Sequence, residues 1–214
     1  RYDLPGTNRL LEDDVFTYTY DANGNLTEKQ PKTCPAPPAP CPPTRYTYDV
    51  ENQLVQIDLP DGRVPRYRYD SQGRRIEKDV SGTLTRFLYD QEDIVVVYDG
   101  RTNCWQQSFT HGPGIDQPLA FVRDDSGNCT PSDAAGFREQ VRTLQTDALG
   151  SITSLISETS GFFRGLNLKE RYTYDSFGTP TITGPGPDNQ LDTADDVTLQ
   201  ESAFGNPYLF TGQE

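Results

Sequence analysis

A short phrase that the chain repeats constrains its fold more than any other feature. Tyr46-Thr47-Tyr48-Asp49 opens the stretch 45–78. Tyr67-Arg68-Tyr69-Asp70 reopens it, followed by the turn Ser71-Gln72-Gly73 and a second extended run. The phrase stands earlier as Tyr18-Thr19-Tyr20-Asp21-Ala22-Asn23-Gly24 and later as Tyr172-Thr173-Tyr174-Asp175-Ser176-Phe177-Gly178, with a weaker copy at Phe87-Leu88-Tyr89-Asp90. Two tyrosines two residues apart share one face of a strand, because strand side chains alternate. Tyr, Thr and Val suit a pleated, half-buried surface. Asp followed by Ala-Asn-Gly or Ser-Gln-Gly is turn chemistry: the carboxylate accepts from a backbone N–H two residues on, and glycine tolerates the positive φ of a tight reversal. Each copy therefore predicts strand, tight turn, strand. Asp49, Asp70 and Asp90 are spaced by 21 and then 20 residues, close to one hairpin plus its connection. One hairpin is marginal in water, whereas repeated hairpins can bury each other's faces.

Tyr-Asp-x-x-Gly-x-Leu at this period, as in Tyr20-Asp21-Ala22-Asn23-Gly24-Asn25-Leu26, resembles the YD-repeat or RHS-repeat family. Other stretches agree, in order. Thr7-Asn8-Arg9-Leu10 resembles a phrase that precedes a repeat. His111-Gly112-Pro113-Gly114-Ile115-Asp116-Gln117-Pro118-Leu119-Ala120 resembles a segment near the end of such arrays, and Thr146-Asp147-Ala148-Leu149-Gly150-Ser151 the repeat that follows it. Pro207-Tyr208-Leu209-Phe210-Thr211-Gly212-Gln213-Glu214 resembles the opening of the RHS-associated core segment. The resemblance implies an all-β fold of successive antiparallel hairpins laid side by side in a twisted, spiralling ribbon, with residues 1–214 as a single array. It implies, too, that long arrays wrap into a hollow shell around a toxic C-terminal domain, as in toxin-complex components, polymorphic toxins and the shell region of teneurins. The expected role is a non-catalytic structural segment of an extracellular bacterial protein. The rest of that polypeptide is the expected partner. Self-cleavage in the family is attributed to residues after Gly-Gln-Glu, and none of these is carried over. Met is absent and the family pattern stops at Glu214, so the chain is expected to be a piece of a longer polypeptide.

Two other classes of function compete. A ribbon with two open edges can pair with identical copies and grow a filament. Stacked aromatics with polar tips can bind a glycan. Against the second, the same-face spacing of Tyr18 and Tyr20, Tyr46 and Tyr48, Tyr67 and Tyr69, and Tyr172 and Tyr174 predicts that these rings are the core gluing hairpins together.

The composition narrows the field. A net charge of −13 repels nucleic acid and anionic lipid and suits a secreted protein or one that meets cations. Apolar residues make up 33% of the chain, low for a compact globule, and the 12 Tyr and 10 Phe must carry much of the burial. With 18 Gly and 17 Pro, turns are frequent and long helices few. No run is long and apolar enough for a transmembrane helix, and no signal peptide is visible.

Three insertions interrupt the repeat: 31–44, 101–140 and 184–200. The first contains Cys34-Pro-Ala-Pro-Pro-Ala-Pro-Cys41, which cannot pair inside a sheet because proline lacks the N–H donor. The cysteines are Cys34, Cys41, Cys104 and Cys129, an even number in an acidic, histidine-poor chain, which fits disulfides outside the cytosol. Three pairings exist. Cys34–Cys41 with Cys104–Cys129 is favoured, because each pair brackets one insertion. Zinc is disfavoured, since no C-x-x-C occurs. The third insertion gathers Asp188, Asn189, Asp192, Asp195 and Asp196, oxygen donors of the kind Ca²⁺ takes. It is not an EF-hand: Thr193 stands where the obligatory glycine belongs, and Leu199 where the bidentate glutamate belongs. Ca²⁺ bound by this loop is weighed against a solvated acidic loop.

Catalysis finds little support. His111 is the single histidine and sits in a Gly-Pro turn, where packing on neighbouring hairpins is the expectation. No nucleophile elbow, H-E-x-x-H or phosphate-binding loop occurs, and no spacing singles out a catalytic carboxylate pair. Ile94-Val95-Val96-Val97-Tyr98 reads as a strand covered on both faces, and residues 166–169 as a short helical turn.

Overall fold

The computed structural model describes residues 1–2, 8–33, 41–114, 117–124, 129, 141–158 and 166–209. Among these the protein is all-β. The strands in chain order are β1 (Phe16–Tyr20), β2 (Leu26–Pro31), β3 (Thr44–Tyr48), β4 (Leu54–Asp58), β5 (Arg66–Tyr69), β6 (Arg75–Val80), β7 (Thr83–Asp90), β8 (Asp93–Asp99), β9 (Trp105–His111), β10 (Pro118–Arg123), β11 (Val141–Thr146), β12 (Ile152–Glu158), β13 (Leu166–Tyr174), β14 (Pro180–Gly184) and β15 (Val197–Leu199). Their order in the sheet is their order in the chain, so each strand pairs with the one before it and the one after it. That is what consecutive hairpins require, since a tight turn can join only antiparallel neighbours.

The chain forms two compact units, Arg1–Arg86 and Phe87–Glu214. In the first, hairpins β1–β2, β3–β4 and β5–β6 carry the tyrosines on one face. Tyr18, Tyr20, Tyr46, Tyr48, Tyr67 and Tyr69 are half-buried, and the residues between them, Thr19, Thr47 and Arg68, are exposed. In the second, β8 to β14 surround an apolar core of Ile94, Phe109, Phe121, Leu144, Ile152, Leu155, Tyr172, Ile182 and Tyr208. Among the described residues of the first unit, Pro65 alone is buried, and no residue of this core belongs to that unit.

Four sequence expectations change. Residues 166–169 are not helical but open β13, where Leu166, Asn167 and Leu168 pair with Glu158, Ser157 and Ile156 of β12. The ladder outweighs the weak local preference of so short a stretch. The stretch 101–140 contains two ladder strands, β9 and β10, and 184–200 ends in β15. In β8 only Ile94 is buried; Val95 to Tyr98 are half-buried, so this apolar run is not sealed on both faces.

Candidate functional site

The repeated phrase builds one turn five times. The carboxylates of Asp21, Asp49, Asp70, Asp147 and Asp175 each accept, through Oδ1, the backbone N–H of the residue four positions on, at 2.8–3.0 Å. In the last four turns Oδ1 also takes the N–H two positions on, at 2.8–3.0 Å. The aspartate's own N–H donates to the carbonyl four residues on, and its carbonyl accepts from the residue three on. That third residue needs a left-handed backbone: Gly24 at φ +96°, Gly73 at +84°, Gly150 at +86°, Gly178 at +84°, and Asn52 at +64° in the one copy without glycine. Asn is the side chain that tolerates this region best after glycine. Asp147 shows that the tyrosine is dispensable for the turn, since Thr146 precedes it. The weaker phrase at Asp90 closes differently, through the two-residue connection Gln91-Glu92 with Gln91 at φ +54°.

Beyond four of these turns the ladder slips by one residue, at Thr19/Tyr20, Thr47/Tyr48, Arg68/Tyr69 and Gln145/Thr146. The extra residue is Thr27, Val55, Ile76 or Thr153, always six after the aspartate. Thr27 and Thr153 even make the same bond, each hydroxyl donating to the carbonyl of Thr19 or Gln145, at 3.1 and 3.2 Å. Such bulges are built-in bends of a sheet.

The second tyrosine of the phrase joins one hairpin to the previous one. The Tyr69 hydroxyl donates to the Leu54 carbonyl at 2.9 Å, and that of Tyr174 to the Ile152 carbonyl at 2.8 Å. Leu54 and Ile152 are each the first residue after the preceding Asp turn. Tyr20 donates to the Leu10 carbonyl at 2.9 Å. Burial raises the Tyr69 hydroxyl pKa and pushes that of Tyr174 up to about 12. Tyr18 instead donates to Asp13 at 2.6 Å; this bond raises the phenol to about 12 and lowers the carboxyl to about 2. The polar tips of these rings are engaged within the chain.

Other residues singled out by the sequence lie apart from the repeat. Cys104 and Cys129 form a disulfide with Cα atoms 4.9 Å apart, tying the entry of β9 to the segment after β10. Cys41 is disulfide-bonded, and Cys34 lies outside the described residues. In the acidic loop, Asp192 forms a two-point ion pair with Arg171, at 2.7 and 2.8 Å. Asp195 accepts from the Thr193 hydroxyl at 2.6 Å and from the Asp188 N–H at 3.2 Å, and the first of these lowers its pKa. Asp196 caps the Asp192 N–H at 2.8 Å, and Asp188 caps that of Gln190 at 2.8 Å. Asn189 supplies a left-handed residue at φ +56°. The carboxylates thus face the loop's own donors and Arg171. No three His, Cys, Asp or Glu side chains among the described residues are arranged to hold a metal ion.

One buried constellation was not legible in the sequence. Residues 201–209 follow β15 without forming a strand and cover the core of the second unit. Tyr208 stands edge-on to Phe109, ring centres 5.2 Å apart, and its hydroxyl meets His111 Nε2 at 3.2 Å. His111, the last residue of β9, therefore packs against this segment. The Arg142 guanidinium lies over the Phe204 ring at 5.4 Å. Beneath Ser202 sits Glu170, with no exposed surface. Its carboxylate accepts from the Tyr172 hydroxyl, from the Ser202 hydroxyl at 2.7 Å and from the Ala203 N–H at 2.7 Å. Burial first, and then the bond to Glu170, raises the Tyr172 hydroxyl pKa. The sequence does hold one signal: Glu170 has the parity of Tyr172 and Tyr174, which places an acid on an inward face. Ser202, 32 residues on, has no such signal.

Residues 48–84, the stretch with the Asp49 and Asp70 turns, match the family described as RHS Repeat. That stretch is an RHS repeat. The chain's relatives include the tRNA3(Ser)-specific nuclease WapA of Bacillus spizizenii, 28% identical over 179 residues, which are 82% of this chain and 6% of that protein. Probable deoxyribonuclease RhsB of Dickeya dadantii is 37% identical over 92 residues, 42% of this chain and 6% of that protein. The chain thus spans 6% of the length of these curated relatives. A solved structure of TcdB2–TccC3–TEV aligns with 86% of this chain and 9% of that chain, at 16% identity and a TM-score of 0.44.

Proposed function

We propose that this chain is a structural segment of an extracellular bacterial RHS protein, a run of hairpins that builds part of a scaffold or shell and performs no chemistry itself. The observation that carries this reading is the Asp turn, made five times with the same bonds. What recurs in the molecule is a device for reversing and joining strands, not a set of reacting groups. The relatives named as nucleases are matched over 6% of their length, and the reading puts their chemistry outside the matched part. The rest of an RHS polypeptide is the partner. The Cys104–Cys129 disulfide and the net charge of −13 support an oxidising, extracellular setting.

A deletion tests the scaffold reading. Removing residues 49–69 joins Tyr46-Thr47-Tyr48 directly to Asp70-Ser71-Gln72-Gly73 and restores the phrase one hairpin shorter. The shortened chain is expected to keep a β-type far-UV circular dichroism spectrum and a cooperative melt. A shortened chain that is unfolded would sink the modular reading. The intact chain is expected to leave tRNA and duplex DNA uncut, and cleavage of either overturns the non-catalytic part.

A further inference from the structure

We infer that residues 201–209 are a detachable strap across the inner face of the second unit, and that Glu170 is the latch that holds it. The strap belongs to no ladder, so its attachment rests on a few points. At its far end the Ile152 N–H donates to the Leu209 carbonyl at 3.0 Å, and Tyr208 is buried beside Phe109 and His111. In the middle the Gln107 side chain donates to the Gly205 carbonyl at 3.0 Å. At the near end both charge-assisted bonds go to one carboxylate, that of Glu170.

Glu170 is not needed to build its hairpin. The other Asp turns carry Phe16, Thr44, Pro65 and Arg142 at the same position, five residues before the aspartate, and their turns close with the same bonds. A buried carboxylate is costly unless hydrogen bonds satisfy it. Two of the three donors that Glu170 receives come from the strap, Ser202 and Ala203, and only Tyr172 comes from its own strand. Strap and carboxylate therefore need each other. Ser202 extends the effect, because its oxygen accepts the N–H groups of Phe204 and Asn206 at 3.2 and 3.1 Å, and Asn206 clamps Tyr208 through a reciprocal pair of bonds at 2.8 and 3.1 Å. The order of the strap from 202 to 208 thus begins at the latch.

Hydrogen exchange on Glu170→Gln in the 214-residue chain tests this. The amide keeps the size of the side chain but cannot accept all three donors. Amides of 203–206, 208 and 209, and that of Ile152, which donates to the strap, are expected to exchange about tenfold faster or more, while the other amides of β11 and β12 keep their protection. Ser202→Ala leaves the carboxylate and the Ala203 bond in place and reads the same latch should Glu170→Gln fail to fold. It is expected to speed exchange in the strap and at Ile152 by a smaller factor, again with the rest of β11 and β12 unchanged. Unchanged exchange in the strap, or an equal rise throughout β11 and β12, overturns the latch.

Discussion

Asp21 and Asp175 hold their turns through hydrogen bonds that favour the ionised carboxyl. The Asn25 side chain lowers the pKa of the first, and the N–H of Thr179, then that of Phe177, lowers that of the second. At Asp70 burial works against ionisation, but the Arg74 guanidinium at 2.7 Å and two backbone N–H groups outweigh it. Asp13 falls to about 2 through the Tyr18 hydroxyl. The folded pKa of each group lies below its ordinary value of 3.8. The stability these groups contribute is therefore complete above that value and is lost as pH falls through the folded one. The melting temperature is expected to be flat from neutral pH down to about 5 and to drop between about pH 4 and pH 2. Asp70→Asn with Asp175→Asn removes two of the groups that titrate. The double variant should melt lower at neutral pH and show a shallower acid slope. An unaltered slope would mean that the turns do not govern acid unfolding.

The hairpin was readable because its signals are local. A period of two, an aspartate and a glycine three residues later lie within eight positions, and each acts on its immediate neighbours. Asn52 in place of glycine did not hide its turn, because the aspartate sets the bonds and the left-handed residue only permits them. The link between hairpins was half-readable: the tyrosines point inward as their spacing predicts, but no pattern reveals that the Tyr69 hydroxyl reaches the Leu54 carbonyl fifteen residues back. The strap and Glu170 were hidden for the same reason, since the partners lie 32 and 33 residues apart. Strand β13 was misread at its start because Leu166-Asn167-Leu168 declares itself only through β12. The tyrosine link makes a separable prediction. Tyr69→Phe keeps the ring and deletes the bond, leaving the Leu54 carbonyl without that donor. It should cost about 1 kcal/mol in urea unfolding, and no loss would assign the tyrosine's role to ring packing alone.

The two units solve the burial problem differently. In the second, core side chains from β8 to β14 are sealed by the chain's own residues 201–209, and Phe121, Ile152 and Leu155 are at most 1% exposed. The first has the same turns and tyrosines but, among its described residues, no apolar side chain buried to that degree. Turns and ladder bonds give a hairpin its shape, yet apolar burial supplies most of the free energy that opposes chain entropy. The first unit should therefore open at lower denaturant than the second. Trp105, the single tryptophan, lies on β9 in the second unit, so its fluorescence reports that unit alone, while far-UV circular dichroism reports strands in both. In a urea titration the dichroism signal is expected to begin falling before the fluorescence changes, with hydrogen exchange placing the early loss in β1 to β6. Non-coincident transitions of this kind are the mark of independent folding units. If the two signals superimpose, the array unfolds as one cooperative body and the core of the second unit stabilises the hairpins of the first.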